Sequence, residues 1–126
     1  MIKYYLITAI FALILMITLS ACASQKFTYG TYTIMNDNTP SGAEKFNPDG
    51  NYVVTTTDGM IFDQGTFTIH GNTLTLLTSM HCYPGGKNAN YTWKFSNDTL
   101  VLTDTGNDTC QDRMLDIKKT KFTLQK

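Results

Sequence analysis

From about residue 28 onward, apolar and polar positions alternate. Tyr32 and Ile34 alternate with Thr31 and Thr33, and Tyr52, Val54 and Thr56 follow the turn "NPDGN". Phe67 and Ile69 alternate with Thr66, Thr68 and His70, and Leu74 and Leu76 with Thr73 and Thr75. Tyr91, Trp93 and Phe95 alternate with Thr92 and Lys94, Leu100 and Leu102 with Val101 and Thr103, and Phe122 and Leu124 with Lys121 and Thr123. A period of two, with threonine on the second face, marks half-buried antiparallel strands, because β-branched threonine fits a pleated surface facing water. Turn residues punctuate the pattern at Asp49-Gly50, Asp58-Gly59, His70-Gly71-Asn72, Pro84-Gly85-Gly86 and Ser96-Asn97-Asp98. The pattern predicts strands near 28–35, 43–47, 51–57, 60–69, 73–79, 89–95, 99–104 and 120–125. Eight short strands joined mainly by hairpins predict an all-β, antiparallel up-and-down barrel. Only "QDRMLDIKK" (111–119) has helical spacing, which predicts one short helical piece before the last strand.

The first 21 residues break this pattern. Lys3 precedes the apolar run Tyr4–Leu19, which ends in Leu19-Ser20-Ala21-Cys22. A charged start, an apolar middle and small residues at the end describe an export signal. The run is shorter than the ~20 residues of a spanning helix, and no basic stop-transfer cluster follows it. Its ending resembles the bacterial lipobox at all four positions. That resemblance implies cleavage before Cys22, a diacylglycerol on its sulfur, and anchoring to a membrane of the bacterial cell envelope. Residues 1–21 are then signal, 22–27 a lipidated tether, and 28–126 one barrel domain. Once Lys3 is removed, nine basic residues face ten acidic ones. Such a balance has no footprint for nucleic acid and no excess attraction for anionic lipid. Sequons at Asn90, Asn97 and Asn107 are read as chance in a chain rich in Asn and Thr.

With Cys22 assigned to lipid, Cys82 and Cys110 remain, an even pair in an exported domain. The strand order places both beyond the same end of the sheet, on connections separated by one strand, roughly 10 Å. A disulfide is the expected pairing. The alternative is zinc held by His81, Cys82 and Cys110, although adjacent His-Cys is poor chelating spacing and no Cys-x-x-Cys occurs.

The ordered pieces "FNPDGNY", "QGTFTIHGNTLTL", a cysteine, "YTWKFSNDTLVL" and "DTCQDR" resemble a group of small bacterial lipocalin-like (calycin-like) domains over about residues 46–115. Asp108, Cys110 and Arg113 match that group's Asp-Pro-Cys-x-x-Arg ending, with Thr109 replacing proline. Asn97-Asp98 replaces its Asp-Gly turn, and Gly30-Thr31-Tyr32 stands where calycins begin Gly-x-Trp. The resemblance implies that Arg113, the chain's single arginine, closes one end of the barrel by stacking on Trp93 or Tyr32. Arginine reading an anionic ligand is the functional alternative.

Catalytic patterns are absent from the sequence. Asp104-Thr105-Gly106 lacks the second aspartate of an aspartic protease. His70 and His81 fall in predicted turns, and no serine stands in a nucleophile elbow. "PGGKN" is no phosphate loop, and "DTGNDTCQD" lacks the alternating ligands of a calcium loop. The expected protein is therefore no enzyme and needs no metal or cofactor. It is a lipid-anchored binding module whose barrel interior, with Tyr32, Tyr52, Phe67, Tyr91, Trp93, Phe95 and Arg113, takes a small apolar ligand. The alternative is a structural or interaction lipoprotein with a filled core.

Overall fold

The computed structural model describes residues 25–82, 88–111, 113, 117, 118 and 120–126. The expected signal, Cys22 as the expected site of lipid, and the first part of the expected tether lie outside the described residues. Eight strands follow in chain order: β1 (Gly30–Asn36), β2 (Thr39–Phe46), β3 (Asn51–Thr56), β4 (Ile61–His70), β5 (Thr73–Leu76), β6 (Ala89–Ser96), β7 (Thr99–Asp104) and β8 (Thr120–Leu124). Each pairs antiparallel with the next, and β8 returns to β1 through pairs such as Ile34–Phe122 and Tyr32–Leu124, closing the barrel. Closure gives every one of these strands a partner on both sides and so leaves no free edge strand among the described residues. Helical backbone occurs at Gln111, Arg113, Ile117 and Lys118; the other residues of that predicted piece are not described.

The strands lie close to their predicted positions, with two differences. β2 begins at Thr39 rather than 43, because Asp37 and Asn38 both take positive φ (48° and 65°) and make a two-residue hairpin. Asn and Asp tolerate that left-handed region, and it matches the strand twist. Asn97 and Asp98 repeat the device between β6 and β7 (φ 50° and 59°), so Asn-Asp makes the turn that Asp-Gly would make there. β5 ends at Leu76 rather than 79. Beyond it the chain stays beside β4, with Leu77 N–H on Thr66 O (2.9 Å) and Met80 N–H on Gln64 O (2.9 Å).

Alternation sorts the side chains. Tyr32, Phe46, Phe67, Leu74, Trp93 and Leu100 point inward and are buried. The end of the barrel where the chain enters is plugged by aromatic rings. Phe27 packs edge-on to Phe46 (5.6 Å) and Trp93 (5.3 Å), and Phe46 edge-on to Phe67 (5.1 Å). Such pairs contribute ~0.5–1.5 kcal/mol each beyond their burial. Phe27 is 5% exposed, so the packed domain begins inside the stretch read from sequence as tether. Tyr32 meets this cluster at Phe46 (6.0 Å) and Phe95 (6.4 Å), and Trp93 Nε1 donates to Gly71 O (3.1 Å) in the β4–β5 turn.

Candidate ligand-binding site

At the opposite end the same inward phase carries polar residues. Glu44 lies two positions before Phe46 on β2, and Asp63 lies four before Phe67 on β4. Both therefore face the interior and are buried. Between the ring plug and this end is a cavity of about 300 Å³. Ile34, Val54, Leu76, Ile117 and Phe122 form its apolar wall, Tyr52, Glu44, Asp63 and Arg113 its polar wall, and the exposed Asn36, Ser41 and Phe62 its rim. This size is at the lower bound of small-molecule sites.

Two buried aspartates organise the polar wall. Asp63 accepts hydrogen bonds from Tyr52 OH (3.0 Å), Ser79 Oγ (2.8 and 2.9 Å to its two oxygens) and the His81 N–H (3.0 Å). Tyr52 OH also lies 3.1 Å from Thr78 O. Burial, with the Asp63 carboxyl beside it, raises the Tyr52 phenol well above the ordinary tyrosine range. Asp108 accepts two bonds from Arg113, Nε to Oδ2 and an Nη to Oδ1, both 2.8 Å, one from Tyr91 OH, and one from the Cys110 N–H (2.9 Å). Burial alone would push the Asp108 carboxyl up. The bonds from Arg113, Tyr91 and Cys110 outweigh it and hold the carboxyl below the usual range. The Tyr91 phenol is raised, first by burial and then by its bond to Asp108. Burial opposes the charge on Arg113, but Asp108 overrides it and raises the guanidinium further.

The two anchors meet at the disulfide. Cys82 and Cys110 are bonded, with Cα atoms 5.9 Å apart, so the same-end argument holds and zinc is displaced as the reading of these thiols. Ser79 Oγ, bonded to Asp63, accepts the Cys82 N–H (3.1 Å), while Asp108 holds Cys110. The ladder between β7 and β8 is the shortest of the barrel, with only the pairs Thr99–Thr123 and Leu100–Phe122 toward the plugged end, and the bridged segments lie at the other end, where the two strands are unpaired among the described residues.

The remaining buried acid is different. Glu44, the chain's single glutamate, is 7% exposed and lines the cavity. Among the described residues its carboxyl makes no hydrogen bond. Burial raises its pKa to about 8, the nearby Asp63 raises it too, and Arg113 opposes both. The group is thus mainly neutral at pH 7.

The expected aromatic set divides between the two ends. Tyr52 lines the cavity, while Tyr32, Phe67 and Trp93 fill the plug and Phe95 packs half-buried against it. Tyr91 is buried and holds Asp108. Arg113 departs from its implied role. Trp93 and Tyr32 belong to the plugged end, whereas Arg113 follows β7 at the other end and spends its fork on Asp108. Sequence reasoning missed Glu44 and Asp63 as site residues, although their phase with Phe46 and Phe67 already turned them inward.

The fold and the site thus define a class: a closed eight-stranded antiparallel barrel with one ring-plugged end and one hollow end. Comparison with family models, with curated proteins and with solved structures gives no match.

Proposed function

We propose that this protein is a lipid-anchored lipoprotein of the bacterial cell envelope whose lipocalin-like barrel binds a small, largely apolar molecule and catalyses nothing. The observation that carries the reading is the cavity of about 300 Å³ between the ring plug and the loop-bearing end. An eight-stranded barrel is just wide enough to hold one small ligand. The chain enters at the plugged end, so an N-terminal anchor at Cys22 leaves the mouth at the end away from the attachment point. The lipobox residues Leu19 to Cys22 support the anchor, and the order of motifs from Phe46 to Arg113 supports the lipocalin-like assignment.

Binding is tested with N-phenyl-1-naphthylamine, whose fluorescence rises in apolar surroundings. The expected result is a saturable gain with the native chain and its loss in Val54→Trp, which fills the cavity from β3. No gain with the native chain would favour the alternative, a structural lipoprotein acting through its surface. Anchoring is tested with Cys22→Ser, which should move the protein out of the membrane fraction. An uncleaved variant that stays membrane-bound would mean a helical anchor.

A further inference from the structure

We propose that the cavity selects ligands carrying a protonated amine, with Glu44 and Asp63 receiving the ammonium group and the apolar wall receiving the rest. This rests on the binding reading above and adds the ligand's head group to it.

The inference starts from the state of Glu44. Glu44 is 7% exposed, lines the cavity and has no hydrogen-bond partner among the described residues; since no buried side-chain oxygen there lacks a partner, its carboxyl oxygens are open to the cavity, and their solvation depends on what the cavity holds. Its neighbours do not explain it as structure. Asp63 is already held by Tyr52, Ser79 and the His81 N–H, and it faces Glu44 as a second acid. Arg113, the single arginine, is engaged by Asp108. Among the described residues, the titratable groups that line the cavity with Glu44 are Tyr52 from β3, Asp63 from β4, His81 from the β5–β6 connection and Arg113 from the segment after β7; β1 contributes Ile34 and Asn36. Among the described residues, no lysine lines the cavity. An anionic head group would meet two acids and an arginine already neutralised. A neutral one would leave the acids as they are. A primary ammonium brings three donors to the Glu44 carboxyl, which has none among the described residues, and one positive charge that Glu44 and Asp63 both attract. Tyr52 and Phe122 line the same cavity, and aromatic rings attract cations.

Proton balance makes this measurable. At pH 7 Glu44 is largely protonated, being raised to about 8. Forming the ammonium–carboxylate contact breaks its O–H bond and passes the proton to the buffer, while the amine stays protonated. Binding an amine should release close to one proton.

The test titrates the full chain at pH 7 by calorimetry with 2-phenylethylammonium, 2-phenylethanol and 3-phenylpropionate, in two buffers of different ionisation enthalpy. The expected result is at least tenfold tighter binding of the ammonium than of the alcohol, weaker binding still of the carboxylate, and proton release with the ammonium alone. Glu44→Gln should keep alcohol binding, lose most of the tenfold preference and abolish the release. Proton release by the native chain decides the matter even if that variant folds poorly. Equal binding of alcohol and ammonium, preference for the carboxylate, or amine binding without proton release would overturn the inference. Failure of all three probes would also overturn it, and the pocket itself would still be judged by N-phenyl-1-naphthylamine.

Discussion

Glu44 and Asp108 are both buried acids at the same end of the barrel, and their neighbours send them in opposite directions. Asp108 is surrounded by donors, so its charge is kept. Glu44 faces a second acid and apolar walls, so its pKa rises from 4.5 to about 8. Below about pH 4.5 the carboxyl is protonated in both folded and unfolded chains and carries no penalty. As pH rises toward 8, the unfolded chain loses the proton while the fold retains it, and stability falls; above 8 the loss is constant. The amide introduced by Glu44→Gln does not titrate. The stability gap between Glu44→Gln and the native protein should thus widen in the variant's favour from pH 5 to 8, by up to a few kcal/mol, and then level off. Urea unfolding across that range measures it, and a gap that does not change with pH would show that Glu44 ionises freely in the fold. Arg113 gives the complementary case. Arg113→Ala leaves Asp108 buried without its main partner, an expected loss of ~3–5 kcal/mol. Arg113→Lys keeps the charge but not the planar fork that meets both carboxylate oxygens, so it should fall between Arg113→Ala and the native protein in thermal unfolding.

At the scale of elements, alternation made six of the strands readable nearly to their ends, because each buried face is marked by large apolar residues at every second position. The start of β2 was hidden for a physical reason. "TPSG" carries no large apolar side chain in an alternating phase, and its strand conformation comes from the Asp37-Asn38 hairpin and pairing with β1. Glu44 could have been read from its phase with Phe46. That it faces an acid rather than a lysine could not, since Asp63 sits two strands away and only the register through Val54 brings the two into line. Gly65 shows how close these elements come. A Cβ there would sit 2.0 Å from Thr78 O and 2.9 Å from the Tyr52 ring. Both are parts of the Asp63 anchor, and the nearer is backbone, which cannot swing away as a side chain does. Gly65→Ala should cost ~1–3 kcal/mol by overpacking and loosen the Tyr52 OH contact with Thr78 O. Unfolding midpoints check the first, and the phenol titration of Tyr52, which should move toward the ordinary tyrosine value, checks the second.

On the scale of the whole molecule, the barrel combines a half filled by aromatic rings with a half that holds a cavity. The plug needs no covalent help, because interlocked rings and buried strands hold it. The hollow end cannot use the same means, since filling it would remove the cavity. There the wall is also weakest, since the two residue pairs between β7 and β8 both lie toward the plugged end. The aspartate anchors and the disulfide replace the missing packing, tying the connection after β5 to the one after β7. The bond spans 28 residues, and constraining a loop of that length stabilises by roughly 3–4 kcal/mol in the chain-entropy model. For a domain of about 100 residues this corresponds to a drop of roughly 12–30 °C in the unfolding midpoint on reduction. The loss should not be uniform. Releasing Cys82 and Cys110 loosens the Ser79–Asp63 and Asp108–Arg113 contacts first, while Trp93 stays locked to Phe27 and Gly71. With dithiothreitol at 25 °C, N-phenyl-1-naphthylamine binding should therefore weaken while Trp93 fluorescence remains native-like. Simultaneous loss of both signals would mean that the two halves unfold as one unit and that the bond stabilises the barrel as a whole rather than its open end.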